Sequence, residues 1–513
     1  MLWIAVHLYR LSLDVLLPSQ ADDWQVAVAV MEHDHVTMAT QAALRLGVRP
    51  GMKRSSAMAI APGVAFVERD RAREVSAVQA VALALLQYTP EVAHGPQEAV
   101  LLKVNASLNL FKGPRALCSR IRQTLSAMGV RARLGMAPSA SGAWLLARRP
   151  GKPGRRRVLR LESLRRELNR LPCLLLPAAQ PYRDWLQDIG CRTLGGLERL
   201  PRAELQRRTS PQLIDSLDQS YGRVAELFEW VQPPPIFDQR LELLERIEHA
   251  EATIFGARRL IEQLCGWLRA RHLAASQVQL VLEHERGRHG RAPTVLPIRL
   301  AQPVWQPEHL LRLLAEKLPQ LQLPAPVVAL RLLAPQVVSA DTPSGTLFDD
   351  AVSQQHNQYR LLELLAARLG PEHVLRPVPV ADYRPEVANH WVSALEGDRS
   401  GTAAQLAGRS QNMLLAESLG GSPIKSPNVR AGLPHPFWLL DEPIRLAVHD
   451  GRPVYGSELR LVRGPERIEV GWWDGPWVAR DYFVAEDDRA VRYWIFRQRE
   501  AADAGWYLHG LFA

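Results

Sequence analysis

The sequence predicts a multidomain α+β chain, and three observations carry the prediction. Its 513 residues, 47% of them apolar, are too many for a single hydrophobic core. Short β-like runs alternate with helical ones through residues 1–150, as an α/β sheet domain requires. Beyond a Pro-Pro-Pro run at 233–235, a strand–helix–strand–strand–helix–strand order gives way to an aromatic, β-like C-terminus. We therefore expect modules over 1–150, 151–235, 236–338, 339–432 and 433–513.

In the first module WIAVHLY reads as a buried strand, and WQVAVAVMEHDHVTMAT as two strands around a polar turn. QAALRLGVRPGMKRSSAMAIAPG gives two short helices separated by Gly47, Pro50 and Gly51. EAVLLKVNASLNLF is strand-like, RALCSRIRQTLSAMG helical, VRARLGMAPS a strand and SGAWLLARR a helix. Between Arg148 and Arg170 stand ten Lys or Arg residues against Glu162 and Glu167, an excess of eight beside a whole-chain net charge of +10. Arginines clustered with Gly and Pro suit a linker that contacts phosphates, and Arg148, Arg149, Lys152, Arg155, Arg156 and Arg157 are the candidates; a solvated basic loop is the alternative. PYRDWLQDIGCRTLGGLERLPRAEL then predicts two short helices joined at Ile189 and Gly190, with Thr193 capping the second. Such a hairpin can hold a backbone phosphate or serve only as a packing unit.

The third module has a split βαβ order, which leaves one sheet face open to a partner such as DNA. Residues 339–432 read largely as linker around a helix at QYRLLELLAARLG. The last eighty residues hold Trp438, Trp472, Trp473, Trp477, Trp494 and Trp506 amid strand-like runs, so most of these rings are expected in a core.

No stretch reaches the roughly 18 apolar residues of a membrane span, and a cytoplasmic, nucleoid-associated protein is expected. Cys118, Cys173, Cys191 and Cys265 form no CxxC pair and are read as reduced core thiols. GxxxxGK[ST], GxGxxG, HExxH and GxSxG patterns are lacking, which removes the main support for ATPase, dehydrogenase, metalloprotease and hydrolase readings. Glu32, His33, Asp34 and His35 are metal-ligand types, but alternate side chains at a hairpin tip point apart, so a solvated turn is the better reading.

Taken with this order of elements, MLWIAVHLYRLSLDVLL, LGVRPGMKRSSAMAIAPG, LLKVNASLNLFKG, VRARLGMAPSASGAWLLAR and RTLGGLERLPRAEL resemble the Y-family translesion DNA polymerases. The tail from GPERIEVGWWDGPWVARDYFVAE to WYLHGLFA is similar to the catalytically inactive, ImuB-type branch of that family. The resemblance implies palm and fingers, a helix-hairpin-helix thumb and a little finger. It also implies where catalysis would sit, because polymerisation needs carboxylates that hold two divalent metals. Laid on this sequence, those positions fall on His7, Asn105 and Ala106, none of them acidic. Triphosphate contacts fall on Gln41, Leu44 and Trp144, and the ribose-excluding position on Ser12. A rearranged metal site would have to use Asp14 or Glu98.

The resemblance thus implies a non-catalytic adaptor with no cofactor. Ser344, Thr346, Leu347 and Phe348 resemble a peptide that docks on the bacterial β sliding clamp, with Ser344 where Gln is usual. Further implied partners are DNA, an ImuA-type RecA-like protein and a separate error-prone replicative-type polymerase α subunit. The alternatives are an active, divergent Y-family polymerase and a structural DNA-binding protein unrelated to replication.

Overall fold

The computed structural model describes residues 1–17, 25–150, 156–285, 291–340, 351–379, 382–395, 434–436, 438–470, 478–499 and 505–512, with backbone alone at 351–357, 379 and 389. Its contacts divide the chain into two units, Met1–Arg368 and Leu369–Ala513.

In the first unit, strand β1 (Trp3–His7) leads into a single helical turn, α1 (Leu11–Asp14). A hairpin of β2 (Val28–Glu32) and β3 (His35–Ala39) turns through His33 and Asp34, both left-handed, as a two-residue hairpin turn demands. α2 (Gln41–Arg45) is capped by the Thr40 hydroxyl, and α3 (Arg54–Ile60) leads to β4 (Ala65–Glu68), which completes a small sheet in the order β3-β2-β4. α4 (Arg71–Leu85) starts at Asp70, whose carboxylate accepts from Arg73 N at 3.0 Å. β5 (Val92–Gly95), β6 (Ala99–Lys103), α5 (Pro114–Ala127), β7 (Arg133–Ala137) and α6 (Ala140–Arg148) follow.

The main sheet has the order β5-β6-β1-β7 and is covered on both faces. Alternation along β1 decides which side chain goes where. Leu2, Ile4, Val6 and Leu8 enter a core shared with α4 and α5, while Trp3 and Ala5 enter a second core with α6. Gly135 of β7 admits α6 to contact: a Cβ there would lie 2.0 Å from the Ala143 carbonyl oxygen.

Residues 156–158 lie beside β7 through Met136 N to Arg156 O and Val158 N to Met136 O, each 2.8 Å. Helices α7 (Leu161–Leu168), α8 (Arg183–Asp188), α9 (Leu194–Arg199), α10 (Arg202–Arg208) and α11 (Pro211–Ser220) build the second core. All four cysteines are free and buried, which pushes their thiols upward in pKa.

β8 (Asp238–Ile247), α12 (Ile254–Ala270), β9 (Leu273–His284), β10 (Thr294–Val304), α13 (Pro307–Lys317) and β11 (Val327–Ser339) form an antiparallel sheet in the order β10-β9-β11-β8. Insertion of β11 between β8 and β9 is what splits the βαβ unit. α12 packs onto α4 at Gly266, where a Cβ would stand 2.0 Å from the Leu83 carbonyl oxygen. Leu260, Ile261, Leu264 and Leu268 are buried around that contact, so the split sheet and the main sheet share one core. α14 (Ala351–Leu369) is fixed by Glu363, which accepts from Ala301 N at 2.6 Å and bonds the buried His309.

In the second unit, β12 (Leu375–Pro379) and β13 (Asn389–Ser393) make a hairpin within the stretch read as linker. β14 (Trp438–His449), β15 (Arg452–Tyr455), β16 (Ser457–Glu458), β17 (Arg460–Val470), β18 (Val478–Glu486), β19 (Arg492–Gln498) and β20 (Trp506–Leu511) form a seven-stranded sheet in the order β16-β15-β14-β20-β19-β18-β17. Its two faces hold separate cores, one around Trp506 and Ile495, the other around Trp494, Tyr482 and Phe496. Trp438 is exposed, against expectation, and Trp472, Trp473 and Trp477 lie outside the described residues.

Candidate functional site

His7 closes β1, on the parity that carries Trp3 and Ala5 toward α6. The strand register corrects the expected composition of the site. His7 pairs with Ala99, and Trp3 with Lys103, so Asn105 and Ala106 lie beyond the opposite end of β1. Asn105 there accepts from Leu2 N at 3.1 Å, a structural role. Nearby, Lys103 bonds Glu91 and lies 6.0 Å from the Trp230 ring, which packs with Trp3 and Phe228. Asn105 and Ala106 therefore do not share a site with His7.

What meets His7 is the turn between β5 and β6. Gln97 and Glu98 are both left-handed there, an arrangement L-residues hold only when the surroundings enforce it. The Trp144 indole N–H donates to Pro96 O at 3.0 Å, clamping the turn onto α6, and Arg148 stacks over the Trp144 ring at 4.7 Å. Trp144 thus belongs to the same cluster as His7.

The electrostatics are cationic. Burial, then Arg148 and Arg133, push the His7 imidazole down to about 4, so it is neutral at ordinary pH, and its Nδ1 has no hydrogen-bond partner among the described residues. The one carboxylate in the turn, Glu98, meets Arg69 at 3.4 Å. Arg69 also bonds Glu32 at 3.1 Å and Glu74 at 2.6 Å, so a single guanidinium gathers the acids of this region. A hard divalent cation needs converging oxygen ligands. A neutral His, a neutral Gln and an arginine-paired Glu do not supply them. Among the described residues no three His, Cys, Asp or Glu groups are placed to hold a metal.

Asp14 does not repair the set. Its carboxylate accepts from Arg131 N at 2.8 Å, and burial raises it to about 6. Gln41 and Leu44 sit on α2 of the small sheet, with Gln41 exposed and Leu44 half-buried; Ser12 is buried in α1. Glu32 carries ion pairs to Arg69 and Arg71, so the 32–35 tip serves as a charged hairpin turn.

The basic segment divides into committed and free cations. Arg148 donates to Leu175 O at 2.8 Å, and Arg149 to Glu167 at 2.8 Å, so both tie α6 to its neighbours. Arg156 is half-buried and donates to Arg149 O at 3.3 Å, while Arg157 is exposed. Lys152, Arg155 and the 344–348 peptide lie outside the described residues. In the helical hairpin, the Thr193 hydroxyl accepts from Gly196 N at 3.1 Å, Gly190 is left-handed, and Ile189 is exposed at the tip. No helix among the described residues is long and apolar enough to cross a membrane.

Sequence reasoning missed Gln97, Arg69 and Arg133. The short β5–turn–β6 hairpin is the one signal for Gln97, because it places the 96–98 turn at an end of β6, whereas Arg69 and Arg133 come from distant segments.

Residues 19–148 match the model of the impB/mucB/samB family. Protein ImuB of Caulobacter vibrioides is 28% identical over 487 residues, covering 91% of this chain and 100% of that protein. Among solved structures, an insertion ternary complex of Dbh DNA polymerase covers 65% of this chain and 98% of its own at 17% identity and a TM-score of 0.38. DinB from Sulfolobus solfataricus covers 66% of this chain and 100% of its own at 16% identity and a TM-score of 0.37. Residues 19–148 thus match the impB/mucB/samB family model, in a chain similar to Protein ImuB over 91% of its length.

Proposed function

We propose that this chain is a non-catalytic adaptor in error-prone translesion DNA synthesis, binding DNA and the sliding clamp and recruiting a separate polymerase. The observation that carries the reading is the end of β1. Where two-metal phosphoryl transfer requires carboxylates, neutral His7 and Gln97 stand among Arg133 and Arg148, and the lone Glu98 is paired with Arg69. Arginines at that place repel the divalent cations the reaction needs.

The frame is read as palm and fingers over 1–150, thumb with basic linker over 151–235, little finger over 236–338, clamp-binding linker over 339–432, and a C-terminal partner module over 433–513. Leu347 and Phe348 fill the clamp pocket in this scheme, with Ser344 and Thr346 flanking. An ImuA-type RecA-like protein and a replicative-type polymerase α subunit are the further proposed partners, and the nucleoid the proposed place of action.

Primer extension tests the central point. With Mg²⁺ or Mn²⁺ on damaged and undamaged templates, the purified protein incorporates no nucleotide, and His7→Asp alone does not restore incorporation. Extension abolished by Glu98→Gln would instead establish an active, divergent polymerase, the reading that the Glu98 carboxylate favours. For the clamp, wild type is retained on immobilised clamp and Leu347→Ala/Phe348→Ala is not; equal retention removes the assignment.

A further inference from the structure

Away from the His7 cluster, an open pocket of about 800 Å³ lies between the start of α5 and residues 156–163. Lys112, Arg115, Arg156, Arg157 and Arg160 line it, together with the Ser163 hydroxyl and no acid. We infer that this pocket seats phosphate groups, and that the backbone of a nucleic-acid strand is the occupant it fits.

The local fold explains how the cations come together. Lys112 and Gly113 are both left-handed, so the chain reverses sharply into α5 and sets Lys112 and Arg115 on one rim. Val158 is buried and donates to Met136 O, and Arg156 O accepts from Met136 N, which fixes Arg156, Arg157 and Arg160 on the other rim. The side chains of Lys112, Arg115, Arg157 and Arg160 have no ion pair or hydrogen bond among the described residues. The Arg156 Nε is shielded from solvent and also lacks a partner. Ser163 accepts from Arg166 at 3.3 Å, leaving its own proton to donate.

Like charges gathered without a counter-charge repel one another, and an anion relieves that cost. The volume exceeds what one phosphate fills, and a strand brings a charge with every nucleotide, matching several cations at once. Guanidinium and ammonium donors bind phosphate oxygens without reading bases, so the contact is independent of sequence. The inference deepens the DNA-binding part of the proposed function and rests on it for the source of the phosphate.

The test uses the full chain and Lys112→Ala/Arg115→Ala, both exposed positions, with circular dichroism to establish an unchanged fold. Anisotropy of labelled single-stranded and duplex DNA across a salt series should show affinity reduced about tenfold and the salt slope reduced by about two. Wild-type affinity and slope in the double variant overturn the inference. If wild type itself binds no DNA, the DNA reading of the adaptor fails on its own. Calorimetry with tripolyphosphate then judges the pocket: binding lost in the variant keeps a phosphate seat fed by a small molecule, and no binding to wild type overturns the pocket too.

Discussion

At the rims of the basic pocket, Lys112, Arg115, Arg157 and Arg160 have no acidic partner among the described residues. On the open face of the β8–β11 sheet, Arg240 bonds Glu242 at 2.8 Å and Glu283 at 2.9 Å, and Arg331 bonds Asp238. Both surfaces are rich in arginine, yet they differ in available charge. An arginine already held by a carboxylate releases little on meeting a phosphate, because one ion pair replaces another. Counting basic residues therefore overstates the sheet and understates the pocket, which draws on two segments forty residues apart in sequence.

The contrast can be broken from several directions. The largest effect is expected from Gly266→Val: its Cβ would collide with the Leu83 carbonyl oxygen where α12 meets α4, and overpacking of this kind costs roughly 3 kcal/mol. Urea denaturation of the full chain should show a markedly lower midpoint for the first unit; an unchanged midpoint means the two sheets do not share a core. Charge reversal at the pocket, Lys112→Glu/Arg115→Glu, comes next, with DNA affinity at low salt falling on the order of a hundredfold. The same reversal at Arg240 and Arg331 should change it only a few-fold, and equal losses would erase the distinction between the surfaces.

A smaller gain sharpens the argument. Asp238→Asn/Glu242→Gln/Glu283→Gln frees the sheet arginines, so affinity should rise about threefold and the salt slope steepen; no change would mean this face does not meet DNA. The smallest effect concerns pH. His7 and His509 are held down to about 4 by burial, first of all, so the unfolded chain, titrating near 6.5, takes up their protons before the folded one. Their contribution to stability is fully present above about 6.5 and is lost as pH falls toward 4. Thermal midpoints should accordingly not change on their account between pH 8 and 7, and NMR should find both rings titrating near 4. A His7 ring titrating near 6.5 would place it in solvent rather than in a buried, cationic setting.

Much of the fold was legible because local chemistry wrote it. Thr193 caps the second hairpin helix, Gly190 takes the left-handed turn, and β1 alternates its residues between two cores. The C-terminal sheet followed from aromatic strand patterns, although the exposed Trp438 shows that a ring in a strand need not face a core. The site was harder to read. Placing the site positions at Asn105 and Ala106 shifted the partner of His7 from Ala99 by six residues, an even number, and an even shift leaves every side chain on its original face. Hydrophobic pattern is blind to such a slip.

The sequence by itself determined the split βαβ order, the turn and cap at Gly190 and Thr193, the lack of common nucleotide-binding motifs and the basic segment, since each depends on neighbours a few residues apart. Tertiary structure alone decided that Gln97 and Glu98 join His7, that Arg148 and Arg149 are spent on internal contacts, and that Lys112 and Arg115 join Arg156, Arg157 and Arg160. Register and ion pairing are set by groups far apart along the chain, and composition carries no record of which cation meets an acid.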